Sequence, residues 1–350
     1  METKKAYIND IVKDFKYLDE AAKIIKEGGI VAFPTETVYG LGANALDSEA
    51  VLKIFKAKGR PQDNPLIVHV ASKDISEYVT DIPKIAEKLM EKFWPGPLTL
   101  IFKKRDIIPS MTSAGLDSIG LRMPSDEIAL ELIRKSGKPI AAPSANISGR
   151  PSPTDMNRCV EDLEGKANYI LGGERSFVGV ESTIVDLTVN PPCILRPGGV
   201  TLEDLREVDE EIYIDKALLE EKAMGDLKPK APGMKYKHYA PNAKVRVIRG
   251  ENDKMLEKIG EMVHNYKDED LKVGVMATDE TKDFYGDTFV ISLGKREDLT
   301  EIAKSLFEAL RKFDDEGVDI ILSESFEEKG LGIAIMNRLK KSCGFDIIDV

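Results

Sequence analysis

Six segments of the 350-residue chain gather side chains able to bind or polarise a small anion. The first, Phe33-Pro-Thr-Glu-Thr-Val-Tyr-Gly-Leu-Gly-Ala-Asn44, reads as a strand entering a loop. That loop crowds two threonine hydroxyls, a carboxylate and a tyrosine against Gly40 and Gly42, where backbone can approach a ligand closely. Its tail nearly matches a dinucleotide fingerprint, yet Pro34 and four polar residues separate it from the strand, where that fingerprint requires a tight strand-to-helix turn. The bland alternative is a turn whose hydroxyls cap the next helix. In the second segment, Lys56 to Val70, Gly59 and Pro61 end a helix. Lys58 and Arg60 then project from a loop, where the two cations suit a triphosphate. Complementing the helix dipole is an equally open reading of the same pair. His69 alternates with apolar neighbours on a strand, the pattern of a hydrogen-bonded core histidine more than of a ligand group. In the third segment, Ser118 to Pro124, Arg122 nears the end of an apolar strand and needs an anion if buried; a ligand carboxylate or a structural Asp or Glu would each serve. In the fourth, Ala141 to Gly149, Ser144 and Asn146 follow a strand in a loop able to donate to phosphate or ribose oxygens. Gly179 to Ile184 and Leu195 to Gly199 complete the set.

Other chemistries lack their residues. The chain has no Gly-x-x-x-x-Gly-Lys-Ser/Thr loop, no Gly-x-Ser-x-Gly elbow, and neither His-Glu-x-x-His nor paired Cys-x-x-Cys. His69, His238 and His264 are far apart, and Cys159, Cys193 and Cys343 are scattered and odd in number, which suits packing better than a disulfide framework or zinc site.

Composition supports a folded protein handling a small anion. Hydrophobic residues make up 42% and charged residues 32%, an ordinary globular mixture. Residues 1–200 hold 26 Lys and Arg against 27 Asp and Glu, whereas residues 201–350 hold 24 against 34, so the net charge of −11 belongs to the C-terminal part. Residues 51–150 carry 16 basic against 11 acidic side chains, a local excess fitting a nucleotide-sized anion. A stably bound nucleic acid is not expected of so acidic a chain. No apolar run approaches a membrane span and the first residues do not resemble a signal peptide, so a cytoplasmic, membrane-free protein is expected. A single glutamine, Gln62, beside abundant Lys and Glu leans toward a protein working at high temperature.

The elements that position these residues follow from apolar patterning. Short runs at 30–33, 66–70, 98–102, 119–123, 140–142, 169–171, 183–186 and 194–196 alternate with helix-like stretches such as 48–56, 82–92 and 126–135. This predicts an α/β domain with a mixed sheet over 1–205. A linker over 206–241 follows, where Pro229, Pro232 and Pro241 with Gly233 rule out a continuous helix, and whose aromatic and basic side chains are too rich for a passive spacer. From 242 to 350 the alternation predicts a smaller Rossmann-like, doubly wound parallel α/β domain.

In this order, PTETVYGLG, KGRP with NPLIVHV, FWPGPLTL, GLRMP, APSANISG, ESTIVD and LRPGG resemble the threonylcarbamoyl-AMP synthase family, built on a YrdC-like domain. The likeness spans roughly residues 15–205, and the linker and tail are similar to the family's two-domain form. It implies a twisted mixed sheet with a large concave ligand surface. It also implies a nucleotidyltransferase reaction: L-threonine, bicarbonate or CO2, and ATP with Mg2+ give threonylcarbamoyl-AMP and pyrophosphate. A downstream transferase then modifies adenosine 37 of transfer RNA (the t6A modification). Carried over by motif, Lys58, Arg60, Ser144 and Asn146 form the catalytic set around the phosphates. Ser118, Ser152, Arg196 and the linker's Tyr239 also meet ATP, with Tyr239 as a lid. Thr35, His69, Arg122, the backbone at Ala142, and Ser182 hold L-threonine. Which carboxylate, if any, helps hold Mg2+ is left open. Two alternatives stand beside this reading: a carbamoyl-adenylating enzyme, whose relatives are longer and carry zinc-finger cysteines, and a non-catalytic RNA-binding or ribosome-assembly factor.

Overall fold

Strand and helix alternate through the first part of the chain. In order these are β1 (Lys4–Tyr7), α1 (Phe15–Lys26), β2 (Val31–Phe33), β3 (Gly40–Asn44), α2 (Ser48–Lys58), β4 (Ile67–His69), α3 (Lys84–Phe93), β5 (Leu98–Lys103), α4 (Ser110–Ser113) and β6 (Ser118–Arg122). There follow α5 (Glu127–Ser136), β7 (Ile140–Ala141), α6 (Met156–Leu163), β8 (Tyr169–Gly172), β9 (Thr183–Asp186), β10 (Cys193–Arg196), α7 (Leu202–Arg206) and β11 (Tyr213–Ile214). The helices begin and end where local chemistry dictates. The Asp47 carboxylate accepts from the amides of Glu49 and Ala50 at the start of α2, and Gly59 ends it in the left-handed region at φ 63°. Asp126 and Gly137 do the same for α5.

The structure, a computed structural model, describes residues 2–215, 230–232 and 238–350. The chain divides into two units, residues 1–148 with 152–236, and residues 149–151 with 237–350. Much of the segment read as a linker therefore lies outside the described residues.

In the first unit the strands form one mixed sheet in the order β1-β8-β2-β3-β7-β4-β6-β5-β9-β10-β11, as the adjacent apolar runs predict. Apolar cores pack on it, one gathering Leu41, Val68, Leu100 and Leu121, another Leu18, Ile25, Phe33 and Ile133. Of the linker, Ala231 is buried among Ile67, Ile101 and Ile184, and Lys230 reaches Asp186 at 3.2 Å. This short piece folds back onto the first unit's own sheet.

One expectation fails. The Gly-rich tail read as a loop, Gly40 to Asn44, is strand β3, antiparallel to both β2 and β7. Gly42 is there for space, because an added Cβ would lie 2.5 Å from Ile140 Cγ2 and 2.7 Å from Phe33 Cε1. The dinucleotide fingerprint is thereby disposed of, since no strand-to-helix turn exists at these glycines.

In the second unit β12 (Lys244–Arg249), α8 (Asn252–Asp268), β13 (Val273–Ala277), β14 (Phe289–Ser292), α9 (Leu299–Asp315), β15 (Ile320–Glu324), α10 (Leu331–Ser342) and β16 (Ile347–Asp349) follow one another. The strands lie in the order β14-β13-β15-β12-β16 and every pairing is parallel. This is the doubly wound tail that the alternation predicts. At the carboxyl ends of β12 and β15, where the winding reverses, lies a crevice of about 740 Å³ lined by Arg249, Asn252, Arg296 and Phe326 among others.

Gly42→Ala is expected to destabilise the first unit by about 1–3 kcal/mol through overpacking. Urea unfolding followed by the fluorescence of the single tryptophan, Trp94, checks this.

Candidate active site

Helix α2 delivers Lys58 as its last residue, and the side chain turns inward rather than projecting from a loop; it is 1% exposed. Its ammonium donates to the carbonyls of Ser144 and Asn146, and the Ser148 amide donates back to the Lys58 carbonyl at 2.9 Å. A buried ammonium must find acceptors, and the loop's inward carbonyls supply them. Arg60, just past the helix, is also buried and donates to the carbonyls of Asn64 (3.4 Å) and Pro65 (3.3 Å). Within the loop, Ser144 Oγ donates to Asn146 Oδ1 at 2.5 Å, and Ser144 pairs with Gly40 as an isolated bridge. Three of the four residues read as a phosphate set are thus joined directly, and Arg60 follows Lys58 by two positions.

Arg196 ends β10 and donates from Nε to the Ser182 carbonyl (3.0 Å) and from Nη2 to Ser182 Oγ (3.1 Å). Ser182 Oγ also lies 2.8 Å from Thr99 Oγ1. The structure therefore joins a residue read for ATP to one read for threonine. Ser152 donates to Glu181 Oε1 at 2.7 Å, and Ser118 begins β6.

The threonine set assembles on the central strands. β4 pairs with β6 on one side, setting His69 opposite Arg122, and with β7 on the other, setting His69 opposite Ile140. The Ala142 amide donates to the Ile67 carbonyl at 2.9 Å. Thr35 sits in the β2–β3 loop, its hydroxyl donating to the Val38 carbonyl (2.6 Å) and 2.9 Å from Thr37 Oγ1. The Phe33 ring meets His69 edge-on at 6.3 Å.

The sequence left the partner of Arg122 open; it is Glu36, whose Oε1 lies 2.8 Å from Arg122 Nη2, both side chains almost wholly buried. Glu36 is the charged member of this buried cluster to which sequence reasoning assigned no role. The signal existed, in a carboxylate inside the Thr35–Thr37 block and an arginine that needed one, but nothing local linked them. Burial and the nearby Arg122 cation push the His69 imidazole down to about 3, so it is neutral at neutral pH. Asp126, whose carboxylate caps α5, is pushed up to about 6, first by burial and then, among other charges, by Glu36.

Tyr239 belongs to the second unit by its contacts. It is buried, has φ 63°, stacks on Phe307 at 5.2 Å between ring centres, and lies under the Arg338 guanidinium at 5.5 Å. Among the described residues no three His, Cys, Asp or Glu side chains converge to hold a metal ion, and no helix is long and apolar enough to cross a membrane.

Because His69 titrates far below its ordinary value, its contribution is present above about pH 6.5 and lost as pH falls toward 3. Between about pH 7 and 4.5 the protein should lose about 2–3 kcal/mol more than a His69→Gln variant, read from urea midpoints on the Trp94 signal.

Comparison with known proteins finds matches along nearly the whole chain. The profile described as Telomere recombination (Sua5, YciO and YrdC proteins) matches residues 23–198, and that described as Threonylcarbamoyl-AMP synthase, C-terminal domain, matches residues 200–344. The threonylcarbamoyl-AMP synthase of Pyrococcus abyssi is 52% identical over 335 residues, covering 94% of this chain and 95% of its own. That of Bacillus subtilis is 44% identical over 99% of this chain and 100% of its own. The crystal structure of P. abyssi Sua5 complexed with L-threonine superposes with a TM-score of 0.92 at 49% identity, covering both chains completely. Matched along nearly its whole length, the chain belongs to the threonylcarbamoyl-AMP synthase family.

Proposed function

We propose that this enzyme condenses L-threonine, bicarbonate or CO2, and ATP to threonylcarbamoyl-AMP and pyrophosphate. The observation that carries this reading is the junction of two residue sets in one unit. Lys58, Ser144 and Asn146 are bonded together, Arg196 is bonded to Ser182, and His69 and Arg122 stand side by side on paired strands. The relative of similar fold complexed with L-threonine supports an amino-acid substrate.

The reaction asks little covalent chemistry of the protein. Threonine's amine and bicarbonate yield a carbamate, whose oxygen attacks the α-phosphorus of ATP and expels pyrophosphate. Both reactants are anions, so the protein must align them, offset their repulsion and exclude water. Arg122 would take the threonine carboxylate, with Thr35, His69, the Ala142 backbone and Ser182 around the rest. Lys58, Arg60, Ser144, Asn146 and Arg196, with Ser118 and Ser152, would take the nucleotide. Lys58 and Arg60 would offset charge building on the leaving pyrophosphate. Mg2+ would arrive on the triphosphate, held by its oxygens and water as this ion commonly is, and would further screen the phosphate charge. The mixed anhydride formed is reactive, so its consumer would be a transferase acting on transfer RNA, in the cytoplasm, and this chain itself need not hold nucleic acid.

Pyrophosphate release from ATP, Mg2+ and bicarbonate should require L-threonine, and should fail with no amino acid and fall strongly with L-serine. Release driven by carbamoyl phosphate instead of threonine and bicarbonate would overturn the assignment. Arg60→Ala should lower turnover by about 10²–10³-fold while the threonine KM moves by less than about threefold; unchanged turnover would remove Arg60 from the leaving-group role.

A further inference from the structure

Buried polar groups are normally satisfied, and in the first unit several that are not meet in one place. Glu36 and Arg122 form an ion pair at 2.8 Å without hydrogen-bond alignment. Neither Glu36 oxygen, nor Arg122 Nη2, nor His69 Nδ1 has a hydrogen-bond partner among the described residues. All three side chains are buried, and His69 stands opposite Arg122 in the sheet. A buried carboxylate left without a donor is destabilising, so the arrangement is complete only when something else enters.

What enters must match three demands. Arg122 Nη2 asks for an anion, Glu36 for a cationic or neutral N–H donor, and His69 Nδ1 for a partner able to donate or accept. The Glu36–Arg122 pair is itself neutral overall, so a neutral zwitterion adds no net charge to a buried site. An α-amino acid with a side-chain hydroxyl has one group for each demand. The family resemblance places Arg122 at the amino acid, but it implies no residue for the ammonium.

We propose that Glu36 binds the ammonium of the substrate amino acid and accepts its proton, freeing the amine for carbamate formation; this rests on the function proposed above. An ammonium has no lone pair and cannot attack carbon, so the proton must leave first. In the step, Glu36 carboxylate and R-NH3+ become Glu36 carboxylic acid and R-NH2. The amine nitrogen then bonds to the carbon of bicarbonate, whose hydroxyl leaves with one amine proton as water, giving R-NH-COO−. Glu36 returns its proton to water after the product departs. The groups facing Glu36 are Arg122 from β6, the neutral His69 from β4 beyond it, and Asp126 at the start of α5, whose charge is coupled to that of Glu36.

The test is Glu36→Gln in the full chain, which keeps the shape and removes the proton acceptor. Pyrophosphate release at saturating ATP and bicarbonate is followed from about pH 6.5 to about 9.5. The unmodified protein should give a nearly flat kcat/KM for L-threonine over the middle of this range. The variant should fall about 100-fold near pH 7 and recover about tenfold per pH unit as the free amine becomes available in solution. A loss that is equal at every pH, or no loss, overturns the proposal. A separate calorimetric arm compares L-threonine with 2,3-dihydroxybutyrate, which has hydroxyl in place of the ammonium. The unmodified protein should prefer threonine by more than about tenfold, a preference that Glu36→Gln abolishes. This arm stands if the variant fails to fold, since equal binding of the two ligands by the unmodified protein alone removes Glu36 as an ammonium site. It also separates the two readings: a protein silent in pyrophosphate release refutes the proposed reaction, whereas an active one with a pH-independent Glu36→Gln defect refutes only the role of Glu36.

Discussion

Strand β4 is three residues long, and both of its edges are occupied, by parallel β6 and by antiparallel β7. Backbone donors and acceptors in so buried a position must all be paired, and that requirement sets the register. Because side chains alternate across a sheet, a slip of one residue would turn His69 or Arg122 to the opposite face. The alignment of His69, Arg122 and the Ala142 amide therefore comes from ladder bonds, not from any attraction among the functional groups. The β2–β3 hairpin adds Thr35 and Glu36 from its loop, and β3 also pairs with β7, which brings that loop's strands into the same ladder.

Charge burial is the second constraint, and the two units handle it differently. In the second unit Glu324 is buried, but Thr281 and Tyr285 donate to one oxygen and Arg296 reaches the other. That carboxylate is matched and needs no visitor. Glu36 in the first unit is equally buried and has a counter-ion, but its oxygens accept no hydrogen bond among the described residues. Low dielectric makes a matched network rigid and an unmatched one costly, so the contrast separates a structural glutamate from one held ready for a ligand. Lys58 is an intermediate case: its ammonium ties the end of α2 to the Ser144–Asn146 loop while lying among the residues read for phosphate.

Most of the fold was legible because its signals are local. The runs at 66–70, 119–123 and 140–142 became β4, β6 and β7, and the tail's alternation became the parallel sheet of the second unit. Glycine composition points to a loop where the chain forms strand β3. Gly40 and Gly42 signal a loop by composition, but here they give Phe33 and Ile140 room against a strand. The exposure of Lys58 was misread for a related reason, since Gly59 correctly marked the helix end but said nothing of what packs over it.

By itself the sequence determined the residue types of the site, the family to which the ordered motifs belong, and the elements that carry them, because periodicity, caps and breakers act over a few neighbouring residues. Only the tertiary structure decided that Glu36 faces Arg122, that Arg196 reaches Ser182, and that Lys58 turns inward to the Ser144 loop. Those pairings join segments 14 to 86 positions apart along the chain. They are selected by strand register and by the cost of leaving a charge or a carbonyl dry without a partner, and neither is written in any local pattern.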